Sequence, residues 1–231
     1  MQKIENFLIS ALPRKVQAQF LGRSEAVKMQ AGLVLWKPEE HSDSAYFPMD
    51  GYISLEAISK AQPALEVGMV GHEGMAGLHL LLGAPSSSLL ANVQIAGNVY
   101  VCSAKELRAL MHDCIAFRDI MQRYIGFKLS ELSATAVCVR FHRIEQRLAK
   151  WLLMAQDRVG PGRLQATHET MARLLGVRRV GITVAATDMQ IAGYIRYNRG
   201  EIELLNRKGL ERSACSCYAQ GCSEYAHFAK A

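Results

Sequence analysis

From about Ala26 to Val101 the chain runs in short apolar stretches cut by turn residues, and from Ala104 the period becomes helical. That change of texture restricts the fold more than any single motif. The first region carries Leu33–Trp36, Tyr46–Pro48, Tyr52–Leu55, Leu65–Val67, Val93–Ile95 and Val99–Val101. Breakers lie between them: Gly32, Pro38, Asp50-Gly51, Pro63, Gly68, Gly71, Gly74 and Gly97-Asn98. Asp50-Gly51 is a tight-turn pair, since both residues tolerate positive φ. Closely spaced short strands of this kind predict an all-β sandwich or barrel. Gly74–Leu82 reads as a short helix within it, and residues 4–20 as one or two short helices interrupted by Pro13.

The helical region opens with one long element over about 115–137. Phe117, Ile120, Met121, Tyr124 and Ile125 recur at three- and four-residue steps, and Leu129, Leu132 and Ala136 follow. Its apolar residues cover more than one side, so it must pack against two things. The β region and the same helix of a second subunit are the two candidates. Gly126 inside it costs about 1 kcal/mol relative to alanine. A second helix over about 141–157 places Ile144, Leu148, Trp151, Leu152 and Ala155 on one face, with Arg143, Arg147 and Lys150 pointing elsewhere, and ends at Gly160-Pro161-Gly162.

Charge separates the same two regions. The chain has 27 Lys and Arg against 21 Asp and Glu, a net of +6. Residues 1–137 hold 12 basic and 13 acidic side chains, whereas residues 138–231 hold 15 basic and 8 acidic. All the excess lies in the shorter part, which points to an anionic partner there.

Residues 167–189 show how that part would use its charge. Thr167 stands at an N-cap position, and Glu169 in the first turn complements the helix dipole. Met171, Leu174 and Leu175 form an apolar face, and Gly176 supplies a left-handed stop. After a very short turn, Ile182, Ala185, Ala186 and Met189 begin a second helix. Two short helices around such a turn predict a helix-turn-helix, whose second helix enters the major groove. Arg178 and Arg179 fall at its start, where a planar guanidinium can grip guanine O6 and N7. Thr167, His168, Gly181 and Thr183 fall near the same surface. Gly193–Tyr197, Asn198-Arg199-Gly200 and Glu201–Leu205 then read as a hairpin wing, with Arg196 and Arg199 near phosphates. The competing reading is a ligand-binding or protein-interaction module without DNA function, whose basic half docks an acidic protein.

These residues give the chain a resemblance to the Crp/Fnr family of bacterial transcription regulators. Tyr46-Phe-Pro-Met-Asp-Gly51, Val70-Gly-His-Glu-Gly-Met75, Arg147–Leu153 and above all Leu175-Gly-Val-Arg-Arg179 carry it, and it spans nearly the whole chain. It implies an α+β chain with an N-terminal β-roll (a jelly roll like the cyclic-nucleotide-binding domain) over 1–114. A long dimerisation helix over 115–138 and a winged helix-turn-helix over 139–231 would follow. It further implies a homodimer on a near-palindromic operator in double-stranded DNA, working with RNA polymerase and modulated through the β-roll. The family's best-known readers place arginine, glutamate and, four residues later, arginine. Arg179 matches the first, while Val180 and Val184 replace the others. Without the glutamate a TGTGA-type half-site is not expected.

No effector is read from the β region. Where cyclic-AMP-binding relatives hold ribose and phosphate, this chain has Gly77-Leu78-His79 and Pro85-Ser86-Ser87-Ser88, with neither the acid nor the arginine. A phosphate without a cation is poorly stabilised, so cyclic AMP is not expected. The first cysteine is Cys102, which speaks against the N-terminal iron–sulfur cluster of related sensors. His72 and His79 are read as structural rather than as haem or metal ligands. The tail offers Cys215, Cys217, Cys222 and His227, all zinc ligand types, but Cys-x-Cys is tighter than the usual spacing. Cys138 and His142 are helically spaced as a Cys–His catalytic pair would be, but lack a recognisable third group for nucleophilic catalysis. No bound metal is expected.

Gly-x-Ser-x-Gly, a phosphate-cradling loop ending in Lys-Ser/Thr, and His-Glu-x-x-His do not occur, so no enzyme is expected. Apolar runs stay short of a membrane span. Met1–Asn6 leads only into a brief apolar piece before Pro13, so the expected compartment is the cytoplasm, with reduced thiols.

Overall fold

Turn chemistry and strand alternation shape the N-terminal region as expected. The computed structural model describes residues 6–59, 62–160 and 162–230. Residues 1–5, read above for a leader, and Pro161 of the expected helix stop lie outside them. The chain divides into two compact units, Met1–Ala57 with Met69–Lys128, and Ile58–Gly68 with Leu129–Ala231.

The first unit begins with α1 (Phe7–Ser10) and α2 (Arg14–Leu21), separated by Pro13, which stands at the N-cap of α2. Seven strands follow: β1 (Ser24–Met29), β2 (Val34–Trp36), β3 (Ser44–Pro48), β4 (Tyr52–Ser59), β5 (Gln62–Val70), β6 (Leu89–Ile95) and β7 (Gly97–Ser103). They form two sheets, ordered β1-β7-β3 and β2-β6-β4-β5. Gly51 adopts φ 65° between β3 and β4, and both Asp50 carboxylate oxygens accept hydrogen bonds from Asn98, from its backbone at 2.6 Å and its amide at 2.8 Å. The core joins Met29, Trp36, Ile53, Leu55, Val70, Ala91, Val93 and Val99. Beside it Phe20 meets Phe47 edge-on at 4.9 Å and Phe117 in a stack at 6.3 Å.

Three expectations change here. β1 was not anticipated, because Ser-Glu-Ala-Val-Lys-Met is largely exposed and pairs only with β7. Pro63, expected as a breaker, lies within β5, an edge strand, where a missing N–H is tolerated. The helix expected over Gly74–Leu82 shrinks to α3 (Leu78–Leu81). Gly74 is needed for another reason: a Cβ there would run into the Tyr124 ring, whose hydroxyl donates to Met75 O at 3.1 Å.

α4 (Ala104–Asp113) is capped by Ser103, whose hydroxyl accepts from Glu106 N. α5 (Ile115–Phe141) is one continuous helix through Gly126. Its residues up to Lys128 belong to the first unit and those from Leu129 to the second. Among the described residues no helix is long and apolar enough to cross a membrane.

The second unit continues with α6 (Ile144–Val159), β8 (Arg163–Gln165), α7 (His168–Leu175), α8 (Arg179–Ile191), β9 (Ile195–Asn198), β10 (Glu201–Leu204), α9 (Arg207–Ser213) and α10 (Ser216–Lys230). β8 joins the hairpin to make a sheet ordered β8-β10-β9. Arg147 does not point away from the core as expected. It is buried, and its guanidinium donates to Leu175 O at the end of α7.

Candidate nucleic-acid interface

The two-helix motif is built from its caps. Thr167 Oγ1 accepts from Thr170 N at 3.0 Å and starts α7. Gly176 ends it at φ 62°, ψ 41°. Val177 N then donates to Ala172 O at 2.9 Å and Gly176 N to Arg173 O at 3.1 Å, the paired bonds of a Schellman stop. Arg178 is the N-cap of α8. The two helices bury Met171, Leu174 and Leu175 on one side and Ile182, Ala185, Ala186 and Met189 on the other.

This burial leaves one face of α8 outside. Arg178, Arg179, Val180, Thr183, Val184 and Thr187 are all exposed. The first turn of α8 contains no acidic residue. Among the described residues no carboxylate pairs with Arg178, Arg179 or Arg199. Two arginines therefore crowd the positive end of a helix dipole with nothing to neutralise them, which strongly favours an external anion.

His168 links this face to the wing. Its ring stacks on Tyr197 with centroids 4.3 Å apart, and its Nδ1 lies 3.2 Å from Thr183 Oγ1. Burial, and next the charge of Arg179, lower its pKa, so the ring is neutral at physiological pH. The Tyr197 backbone N–H donates to Gln190 Oε1 of α8 at 3.0 Å. The wing turns through Arg199 at φ 48° and Gly200 at φ 88°, a two-residue turn suited to a twisted hairpin. Ala166 N donates to Gly200 O at 2.8 Å, which ties that turn to the start of α7.

Thr167, His168, Arg178, Arg179, Thr183 and Arg199 are thus gathered around α7, α8 and the wing tip. Gly181 faces inward instead: a Cβ there would stand 2.8 Å from Ile144 Cδ1, so its small size lets α8 approach α6. Arg196 is taken up by Glu203 at 2.8 Å. The sequence reading did not include Tyr197, Gln190 or the outward-facing pair Val180 and Val184 among site residues. The spacing of the valines, one helical turn apart beside Arg179, was the available signal.

Comparison with known proteins agrees with this geometry. Residues 146–213 match the Crp-like helix-turn-helix domain family. The transcriptional regulator SdrP of Thermus thermophilus is 28% identical over 198 residues, 82% of this chain and 94% of that protein. Among solved structures, FixK2 from Bradyrhizobium japonicum superposes with a TM-score of 0.71 at 14% identity, covering 83% of this chain and 98% of its own. A crp/fnr family transcriptional regulator from Eubacterium rectale gives 0.69 at 18% identity, covering 89% and 96%. A β-sheet unit, a long helix and an electropositive winged helix-turn-helix together define a DNA-binding transcription regulator. Residues 146–213 thus form a Crp-like helix-turn-helix domain, and the chain as a whole is similar to transcription regulators of the Crp/Fnr type.

Proposed function

We propose that the chain binds double-stranded DNA as a homodimer, with α8 in the major groove of each half-site. The observation that carries this is the unneutralised pair Arg178 and Arg179 at the start of α8. In this reading Arg179 grips a guanine through O6 and N7, and Arg178 and Arg199 meet phosphates on either side. Thr167 and His168 lie against the backbone at the start of α7, and Thr183 lines the groove. Val180 and Val184 offer methyl groups to thymine methyls, in place of the glutamate and arginine of the family's best-known readers. Gly181 contributes closeness to α6 rather than a DNA contact.

The homodimer forms along α5, and the β-roll biases the balance between binding-competent and incompetent arrangements. A ligand shifts that balance only through its differential affinity for them. The chain acts in the cytoplasm beside RNA polymerase and catalyses no reaction of its own.

A cyclic nucleotide does not fit the β unit. Leu78 stands where an acid would hold ribose, and the neighbouring His79 ring packs against Trp36 at 5.3 Å. Ser87, in the stretch that would hold the phosphate, accepts from Leu89 N at 3.1 Å to shape its own loop. Neither stretch supplies a cation. With Cys102 the first cysteine, the N-terminal cluster lacks its ligands, His72 and His79 are read as structural, and no effector is assigned.

The test is selection of bound sequences from a random DNA pool, followed by salt titration of the winner. Affinity should fall log-linearly with salt, by about 0.9 in slope per phosphate contacted. Arg199→Ala should reduce that slope by about one unit with preference intact. Arg179→Ala should flatten preference at one guanine, by about tenfold or more. If Arg179→Ala weakens all sequences equally, that side chain contacts phosphate and the base-reading assignment is wrong.

A further inference from the structure

Cys138, His142, Cys215 and Cys217 come from two places far apart in the chain, yet their ligand atoms all lie within 4.8 Å of one another. Cys138 and His142 sit one turn apart at the end of α5, where His142 N donates to Cys138 O. Cys215 occupies the break between α9 and α10, and Cys217 lies in the first turn of α10. The three thiols are buried and the imidazole is half-buried. Cys138 Sγ lies 3.5 Å from Cys215 Sγ, and Cys217 Sγ lies 3.6 Å from His142 Nδ1.

We propose that these four side chains form a structural zinc site that fastens the end of α5 to the start of α10. With Zn–S bonds of about 2.3 Å and Zn–N bonds of about 2.0 Å, a tetrahedron has S···S edges of about 3.8 Å and S···N edges of about 3.5 Å. The Cys138–Cys215 and Cys217–His142 separations of 3.5 and 3.6 Å lie close to those edges, and with every other pair within 4.8 Å the set closes around an ion by shifts of about 1 Å or less. Three sulfurs and one imidazole are a soft, four-coordinate set that suits zinc and excludes magnesium or calcium. An iron–sulfur cluster needs its thiolates spread around bridged irons, wider than this group allows.

A disulfide between Cys138 and Cys215 would account for two of the four groups only. It would leave the approach of Cys217 to His142 without a reason. Binding converts three thiols to thiolates, releases three protons and leaves the site with a net charge of −1. Arg147 and Lys150 supply the compensating charge, since both act electrostatically on Cys138. The start of α10, a 15-residue helix, adds its positive dipole end at Cys217.

The sequence reading grouped Cys215 and Cys217 with Cys222 and His227 instead. Cys222 is exposed, and neither it nor His227 belongs to the cluster. The true partners lie 77 and 75 residues upstream, beyond any spacing rule.

The test uses the full chain, purified under reducing conditions, and it is independent of DNA binding. Elemental analysis should find about one zinc per chain. Replacement by cobalt(II) should give the intense visible bands of a tetrahedral thiolate site. Cys138→Ser and Cys217→Ser should each reduce metal content at least about tenfold, while Cys222→Ser keeps it. Chelation of the wild-type protein should lower its melting temperature, and zinc should restore it. The proposal is overturned if zinc-supplemented wild-type protein carries no metal and shows no cobalt bands. Stoichiometric zinc in Cys217→Ser would overturn it as well. So would a mass two hydrogens lower, mapped to a Cys138–Cys215 bridge, in protein purified without reductant.

Discussion

Val180 and Val184 are 67% and 53% exposed, one helical turn apart beside two charged arginines. Branched apolar side chains on such a face are poorly served by water. A thymine methyl is the group in the major groove that would remove them from it. Covering one valine by one methyl is worth about 1 kcal/mol, or roughly fivefold in affinity. Val184→Ala should therefore lose about fivefold at a single base position. The same loss should follow when that thymine is replaced by uracil, and the two changes together should cost little more than either. Competition binding with the selected operator measures all three. Additive losses would mean that the valine and the methyl do not meet. Arg147 shows the opposite behaviour at this scale. Its charge suggested an exposed position, yet it is buried to donate to the last carbonyl of α7. A single side chain's partner across 28 residues is not written in local period.

The wing is held to α7 and α8 through His168, which stacks on Tyr197 and meets Thr183. Burial, then Arg179, depress its pKa below the ordinary 6.5. The folded unit therefore binds this proton less readily than the unfolded chain. Its stabilising contribution is complete above pH 6.5 and is lost as pH falls through the lowered native value. Urea melts of wild type and His168→Gln, taken from about pH 7.5 down to about pH 5, should diverge in slope, the variant losing less stability on acidification. Equal slopes would remove His168 from this role. The elements around it were legible because their signals are local. Thr167, Gly176 and Asn198-Arg199-Gly200 each act on their own backbone within a few residues. β1 and β8 were not legible, since each is defined by its partner strand rather than by its own apolar pattern. α9 and α10 were hidden behind the cysteines. The apolar recurrence of Tyr218, Tyr225 and Phe228 in α10 is sparse and is interrupted by Gly221 and Cys222. Of the four-residue cluster, Cys138 with His142 reads in sequence as an incomplete catalytic pair and Cys215 with Cys217 as tail ligands, and only the fold joins the two.

At the scale of the whole molecule, the basic excess and the long helix have to be explained together. Ile125, Leu129, Leu132, Ala136 and Val139 recur along α5 at steps of four and three, the seam of a two-stranded coiled coil. Leu129 and Leu132 are 61% and 48% exposed in the single chain, so the seam is uncovered there. A second copy of α5 would cover it and bring two copies of α8 to one duplex. Half-sites about one helical turn apart then become readable by a two-fold protein. The gain is multivalent: the second α8 binds at an effective concentration set by the first, worth about 100-fold or more in affinity. A Leu129→Lys, Leu132→Lys variant should sediment as a monomer with unchanged far-ultraviolet circular dichroism. Its affinity for the two-half-site operator should fall by about 100-fold, towards that of wild type for a single half-site. On an isolated half-site, variant and wild type should differ little, because each recognition helix and its arginines are intact. A variant that remains dimeric would move the interface off this seam. A monomer that keeps full operator affinity would show that one α8 is enough.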